Sequence, residues 1–293
     1  MKLVKQFLKN GLILAATSVT MRLLTVAFNV YITDKIGAEG VGLFSLVMSV
    51  YAFAVTFATS GISLSATRLV SQQIVKGSGR GVTIAMRRCI VYSLIFGSAG
   101  ALLLSSFSHK IACDLLGDVR TLRSLRILAF SLPPLSISSA LSGYFSAVRR
   151  VAKNAFTNIS EQFIRIFLTA ALLVSVSGKG IESASVAIVT GMLISEFLAF
   201  VISFILYLFD KKRLKDLTAR PSSDITGRLV RMAIPIAVSS YIRSALVTIE
   251  HILIPKGLIR NGATSSQALS SYGVISGMVF PVIFFPMAFL TPF

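Results

Sequence analysis

The residues that could do chemistry in this sequence are charges placed where charge is costly. Arg22 and Arg243 each lie near the middle of a long apolar run. Glu161 and Arg165 are four residues apart in another such run, and hence on one helix face. Glu196 lies within a further run, and Glu250 and His251 follow Arg243 by seven and eight residues, roughly on its face. Arg68 closes the second run. A charge at the bilayer centre costs at least about 2.5–3.5 kcal/mol, so it normally faces a cavity or a partner. Each position also has a plain structural reading. Glu161 and Arg165 can pair within the helix, Glu196 can hydrogen-bond between helices, and His251 can serve an interface. Arg22 and Arg243 have no carboxylate one turn away and sit too deep to reach the interface. A cavity lined by guanidinium groups attracts anions, and their planar fork suits phosphate oxygens. The chemistry expected is recognition of a phosphate- or carboxylate-bearing substrate by Arg22, Arg165, Arg243 and Arg68. Glu161, Glu196, Glu250 and His251 are expected as coupling or structural polar groups.

No enzyme constellation accompanies these charges. The two histidines, His109 and His251, belong to no metal-ligand cluster, there is no Gly-rich phosphate loop, and neither a metal nor a cofactor is expected. The polar loops are too short for a catalytic domain.

The surrounding sequence explains why the charges matter. Of 293 residues, 54% are hydrophobic and 14% charged, and the mean hydropathy is +0.81. Soluble domains carry about a quarter charged residues, so lipid is the solvent for most of this chain. A helical span needs about 20 apolar residues. Eight stretches qualify: 7–32, 42–70, 84–107, 125–148, 155–176, 184–209, 229–254 and 268–289. The opening MKLVKQFLKN with its apolar run looks like a signal peptide, but the run is too long and leads straight into further spans. Pro133 and Pro134 interrupt the fourth span, and Pro281 and Pro286 the eighth.

The net charge of +18 would suggest nucleic acid in a soluble protein. Here the basic residues cluster between apolar stretches. With the N-terminus inside, eighteen Lys and Arg fall in inner segments against eight in outer ones. That is the bias of the positive-inside rule, with anionic membrane lipid as the partner. The basic 110–126 loop, placed outside, fits this pattern least. Cys89 and Cys113 fall near opposite ends of the third span, too far apart for a disulfide.

The sequence also repeats itself. Ser18 precedes Arg22 by four residues, and Ser239 precedes Arg243 by four, 221 positions later. Gly42-Leu-Phe-Ser45 is echoed by Gly273-Val-Ile-Ser276, 231 positions later. Six spans separate the copies, so both have the same orientation, a parallel repeat of the kind transporters use. The expected organisation is a first six-helix lobe (1–209), a basic cytoplasmic linker (210–228) and the first two helices of a second lobe (229–293).

Several stretches resemble a known family. Gly37-Ala-Glu-Gly-Val-Gly-Leu-Phe44, Gly61-Ile-Ser-Leu-Ser-Ala-Thr-Arg-Leu-Val-Ser71, Glu161-Gln-Phe-Ile-Arg165, Tyr272-Gly-Val-Ile-Ser-Gly-Met278 and Phe280-Pro-Val-Ile-Phe-Phe-Pro286 are similar, in order and spacing, to the stage V sporulation protein B-like polysaccharide exporters. The resemblance implies the multidrug, oligosaccharidyl-lipid and polysaccharide exporter superfamily, in the bacterial cytoplasmic membrane. It implies a flippase moving undecaprenyl-diphosphate-linked oligosaccharide or peptidoglycan precursor by alternating access. Arg22 is similar in position to a first-helix arginine that related flippases use for the diphosphate. The Arg-Asp pair that lipid II flippases carry later in that helix is replaced by Ala27-Phe-Asn-Val30. The family has about fourteen spans, so this chain is expected to be truncated. It would then need a second chain or the missing C-terminal helices to complete the second lobe. The alternatives are a multidrug or cation antiporter of the same superfamily, and a non-transporting truncated membrane protein.

Overall fold

The computed structural model describes residues 2–59, 61–176, 178, 180–211 and 224–283. Within them the chain is all-α: α1 (Lys2–Thr59), α2 (Ile62–Val75), α3 (Gly79–Lys110), α4 (Leu122–Ala129), α5 (Leu132–Ala147), α6 (Val151–Ser175), α7 (Ile181–Lys211), α8 (Ile225–Arg260), α9 (Ser265–Val274) and the single turn α10 (Phe280–Ile283). Four helical stretches are long and apolar enough to cross a membrane, or five when the bent pair α4–α5 is taken as one span. Large apolar side chains stand exposed along α3, α6, α7 and α8, among them Leu102, Phe167, Phe197 and Leu246. A water-facing protein rarely shows so much contiguous apolar surface; around this bundle it is the face that meets lipid. The chain is a polytopic membrane protein.

The expected spans reappear with informative differences. The first span and the start of the second are the two helical arms of α1, joined at a kink at Gly37, and the second span breaks again at Gly61, φ 76°, before continuing as α2. Gly37 holds φ 70° and ψ 172°, a conformation that is cheap only without a Cβ. The arms on either side fold back on one another: Asn29 and Ile32 line the same cleft as Phe44 and Met48. The fourth span breaks into α4 and α5, 48° apart. Pro133 and Pro134 start α5, where their missing N–H groups cost nothing. The eighth span loosens into a π-turn, Ile275–Val279, just before Pro281; residues 284–289, with Pro286, lie outside the described residues. Pro235 and Pro255 sit inside α8, two further interruptions. α8 begins at Ile225, capped by the Asp224 side chain on the Gly227 N–H, so its first turn lies within the expected 210–228 linker. Residues 212–223 of that linker lie outside the described residues.

The 110–126 loop becomes legible here. It packs as a π-turn, Ile111–Leu116, a 3₁₀ turn, Val119–Thr121, and the start of α4. Arg120 is held by Asp118 at 2.6 Å and by Glu39 at 3.2 Å, and Arg123 meets Glu182 at 3.4 Å. Much of the positive charge that sat badly with an outer placement is thus countered by acids from neighbouring turns.

The main core gathers Leu43, Leu46 and Val47 of α1, Leu125 and Leu128 of α4, Ile188 and Val189 of α7, and Tyr272 of α9. α9 runs along the second arm of α1, and α8 packs against α1, α2 and α3. The α1–α9 crossing is made by the repeated segments themselves. A Cβ on Gly42 would lie 2.0 Å from the Leu269 carbonyl oxygen, and one on Gly273 would lie 2.0 Å from that of Ala38. Leu269 is Ala38 advanced by the same 231 residues that relate Gly42 to Gly273. The contact is therefore reciprocal, as across a two-fold axis. The equivalent serines meet on that axis, Ser276 donating to Ser45 at 2.8 Å.

This geometry leaves no room for a side chain at either glycine, because the obstructing atoms are backbone. Gly273→Leu is expected to separate α9 from α1. With cysteines at positions 45 and 276, oxidation should form a disulfide in the parent chain and fail to form it in the Gly273→Leu variant. The readout is gel mobility in membranes, and equal disulfide yield in both would refute the crossing.

Candidate functional site

Between the two arms of α1 and the facing sides of α8 and α9 lies a cleft of about 310 Å³. Asn29 lines it from α1, Ser244, Thr248 and His251 from α8, and Tyr272 and Ser276 from the eighth span. Polar groups at its walls are spent on packing: Thr248 donates to the Ser49 carbonyl at 3.0 Å, and Tyr272 Oη and His251 Nδ1 lie 2.8 Å apart. Helical register then places the two deep arginines. Arg22 is seven residues before Asn29 and so shares its helix face, two turns further in. Arg243 is four residues before Val247, another cleft residue.

Their depths can be compared. Thr248 bonds to Ser49 and Tyr241 to Phe57, so Arg243 lies level with about residue 55 of the second α1 arm. Arg22 is as far before the Gly37 bend as residue 52 is after it. At 1.5 Å per residue the two arginines differ in depth by roughly 5 Å. Arg22 is half-buried and Arg243 exposed. By register these two expected site residues fall within roughly 5 Å in depth, each on a helix face that runs into the cleft, although neither lines it.

Arg165 belongs to a different group of charges. On α6 it bonds to Glu161 one turn away, and it reaches Glu196 of α7 at 3.8 Å and Ser195 Oγ at 3.5 Å. Glu196 is buried, and its other oxygen accepts from Tyr51 Oη at 2.9 Å. Tyr51 in turn contacts Ser131 Oγ. Ser131 sits at the α4–α5 break, so the bend that the prolines impose is also what delivers this hydroxyl. Both plain readings of these residues are realised, an i,i+4 pair and an interhelical hydrogen bond. Together they do something neither does alone. Two carboxylates share one guanidinium, so the fully ionised cluster carries one negative charge, and one proton or one added cation neutralises it.

The remaining expected residues scatter. Arg68 is exposed on α2, Glu250 is exposed on the Arg243 face of α8, and His251 is held by Tyr272. Asp210, read from sequence as the first linker residue, is instead buried at the end of α7. It takes Arg150 and, at 2.7 Å, Lys153 on a single oxygen. The hint was available: a lone acid following a long apolar run, with a basic cluster two spans earlier. Among the described residues no three His, Cys, Asp or Glu side chains are grouped to hold a metal.

Stage V sporulation protein B of Bacillus subtilis (strain 168) is 27% identical over 294 residues, covering 97% of this chain and 56% of that protein. Sporulation protein YkvU of the same organism is 19% identical over 286 residues, covering 96% and 62%. The chain therefore spans little more than half the length of the curated relatives it matches. Among solved structures, the MATE multidrug transporter DinF-BH superposes with a TM-score of 0.72 at 15% identity, over 98% of this chain and 63% of that one. A MOP superfamily transporter from Pyrococcus furiosus does so at 0.66 and 13%, over 97% and 68%. At these identities the structures establish a shared fold. The sequence profile of the polysaccharide biosynthesis proteins matches residues 7–290, nearly the whole chain, and the chain belongs to that family.

Proposed function

We propose that this chain forms the first six-helix lobe and the start of the second lobe of a flippase. The flippase moves undecaprenyl-diphosphate-linked oligosaccharide or peptidoglycan precursor across the cytoplasmic membrane by alternating access, and is an exporter rather than an enzyme. The observation that carries this reading is the pair Arg22 and Arg243, at one depth on faces leading into the α1–α8 cleft. Guanidinium groups at that depth complement a diphosphate, and each charge-assisted contact is worth about 1.5–3 kcal/mol. Arg165 joins them by leaving Glu196, the more distant of its two carboxylates, and Arg68 stands at the inner mouth. Further helices, from a longer chain or a second one, complete the second lobe and close the cavity around the exposed Arg243 face.

One observation favours a second reading. The Glu161–Arg165–Glu196 cluster has an excess carboxylate, the feature a cation antiporter needs. In the flippase reading the same excess carboxylate carries the coupling ion, with Glu250 and His251 lining the path beside Arg243.

Substituting Arg22 and Arg243 by Ala in the complete protein should reduce translocation of the diphosphate-linked substrate by at least about a hundredfold, with insertion unchanged. Efflux of organic cations that survives the double substitution but is lost in Glu196→Gln would establish the antiporter instead.

The orientation is separately testable. With the N-terminus cytoplasmic, the Cys113 end of the third span faces outward, and Cys89 is fully buried at the other end. A membrane-impermeant maleimide added to intact cells should label the protein at Cys113 and leave Cys113→Ser unlabelled. Labelling of Cys113 only after permeabilisation would invert the topology.

A further inference from the structure

At the end of the bundle that carries Lys76, Arg80 and Lys211, a second cleft of about 450 Å³ opens between the ends of α2 and α5. One wall is apolar, made by Ile74, Val75 and Val148. The other is charged: Arg149, Arg150 and the buried Asp210. Val75 is 88% exposed, so the apolar wall continues to the surface.

Three features of the charged wall have no part in the cleft between α1 and α8. First, Asp210 is only 3% exposed and gathers Arg150 and Lys153 on its Oδ1. That pins two flexible cations at the lip of the cleft. Its second oxygen, Oδ2, is buried with no hydrogen-bond partner among the described residues, which leaves acceptor capacity for a hydroxyl. Second, Arg149 adopts φ 58°, one of two non-glycine residues with positive φ among the described residues. Such a conformation in a long side chain costs of order 1–3 kcal/mol and clusters at ligand sites. Third, Arg150 is the N-cap of α6 and makes no side-chain capping bond, so the Val151 and Ala152 N–H groups that open this 25-residue helix lie directly after a residue of the cleft wall. Three cations, a helix N-terminus, one acceptor and an apolar wall at a membrane-facing helix end describe one chemistry: a phosphate with a hydroxylated group on one side and an acyl chain on the other.

We propose that this cleft binds an anionic phospholipid bearing a glycerol headgroup. Its phosphate lies on Arg149 and Arg150, its headgroup hydroxyl reaches Asp210 Oδ2, and its acyl chain lies along Ile74 and Val75. Lys153 and Asp210 position Arg150. The site lies apart from the α1–α8 cleft and does not depend on what that cleft transports.

The experiment is thermal unfolding of the purified full chain in detergent, titrated with short-chain phosphatidylglycerol. Phosphatidic acid, phosphatidylcholine and inorganic phosphate run in parallel. Phosphatidylglycerol should raise Tm saturably, phosphatidic acid less, and phosphatidylcholine and inorganic phosphate not at all. The discriminating variant is Arg149→Gly, which removes the cation and suits the left-handed backbone, so the unliganded chain should be no less stable. It should weaken the phosphatidylglycerol midpoint at least about fivefold. Asp210→Asn should remove the advantage of phosphatidylglycerol over phosphatidic acid. An unchanged midpoint in Arg149→Gly, or an equal shift with phosphatidylcholine, would overturn the proposal. An equal saturating shift with inorganic phosphate would reduce the cleft to a free-anion site and overturn the lipid assignment.

Discussion

Everything distinctive in this bundle depends on how closely α1 and α9 approach. Lipid tails are as apolar as leucine, so helices in a bilayer gain little from burying apolar surface and associate through close packing and hydrogen bonds. Gly42 and Gly273 let two backbones meet where any Cβ would collide with a carbonyl, and Ser45 and Ser276 bond across the contact. This crossing sets α8 and α9 against the first part of the chain. The cleft that α8 and α9 form with α1 follows from that placement.

The second constraint is electrostatic. A buried charge whose partner is removed costs about 3–5 kcal/mol, and the bundle deals with its interior charges by grouping them. Glu161, Arg165, Glu196 and Tyr51 form a connected set across α6, α7 and α1. Asp210 gathers two cations at one end of the bundle, and Glu39 receives both Arg120 and Ser266 at the other. The last of these ties the 3₁₀ turn before α4 to the start of α9. It lies on the same side as the Gly37 bend, where the repeated segments are closed upon one another.

Much of this was legible in the sequence because bilayer thickness is a harsh filter. Apolar runs of about 20 residues identified helices, and the cost of charge at depth singled out Arg22, Arg165, Glu196 and Arg243. Pro133 and Pro134 announced the break in the fourth span. Other features were not readable, for physical reasons. Periodicity along one strand of sequence cannot report which face meets which helix, so Tyr51 and Ser131, ordinary in their own segments, became partners of Glu196 only in three dimensions. A lone acid after an apolar run reads as a solvated loop residue, and Asp210 is such a residue until Arg150 and Lys153 arrive from two helices away. The bend at Gly37 looked like a loop because one left-handed residue replaces what a longer connection would otherwise do.

The reciprocal crossing also bears on how the contact can vary. A surface that meets its own repeat presents the same glycine and serine from both sides, as two copies would in a homodimer. In such a homodimer every substitution at the contact lands twice, and the glycine must suit both partners at once. Within one chain that coupling is absent. Ala38 and Leu269 differ at equivalent positions, while Gly42 matches Gly273 and Ser45 matches Ser276. The two sides of the crossing can therefore vary independently wherever the close approach of the backbones does not forbid it.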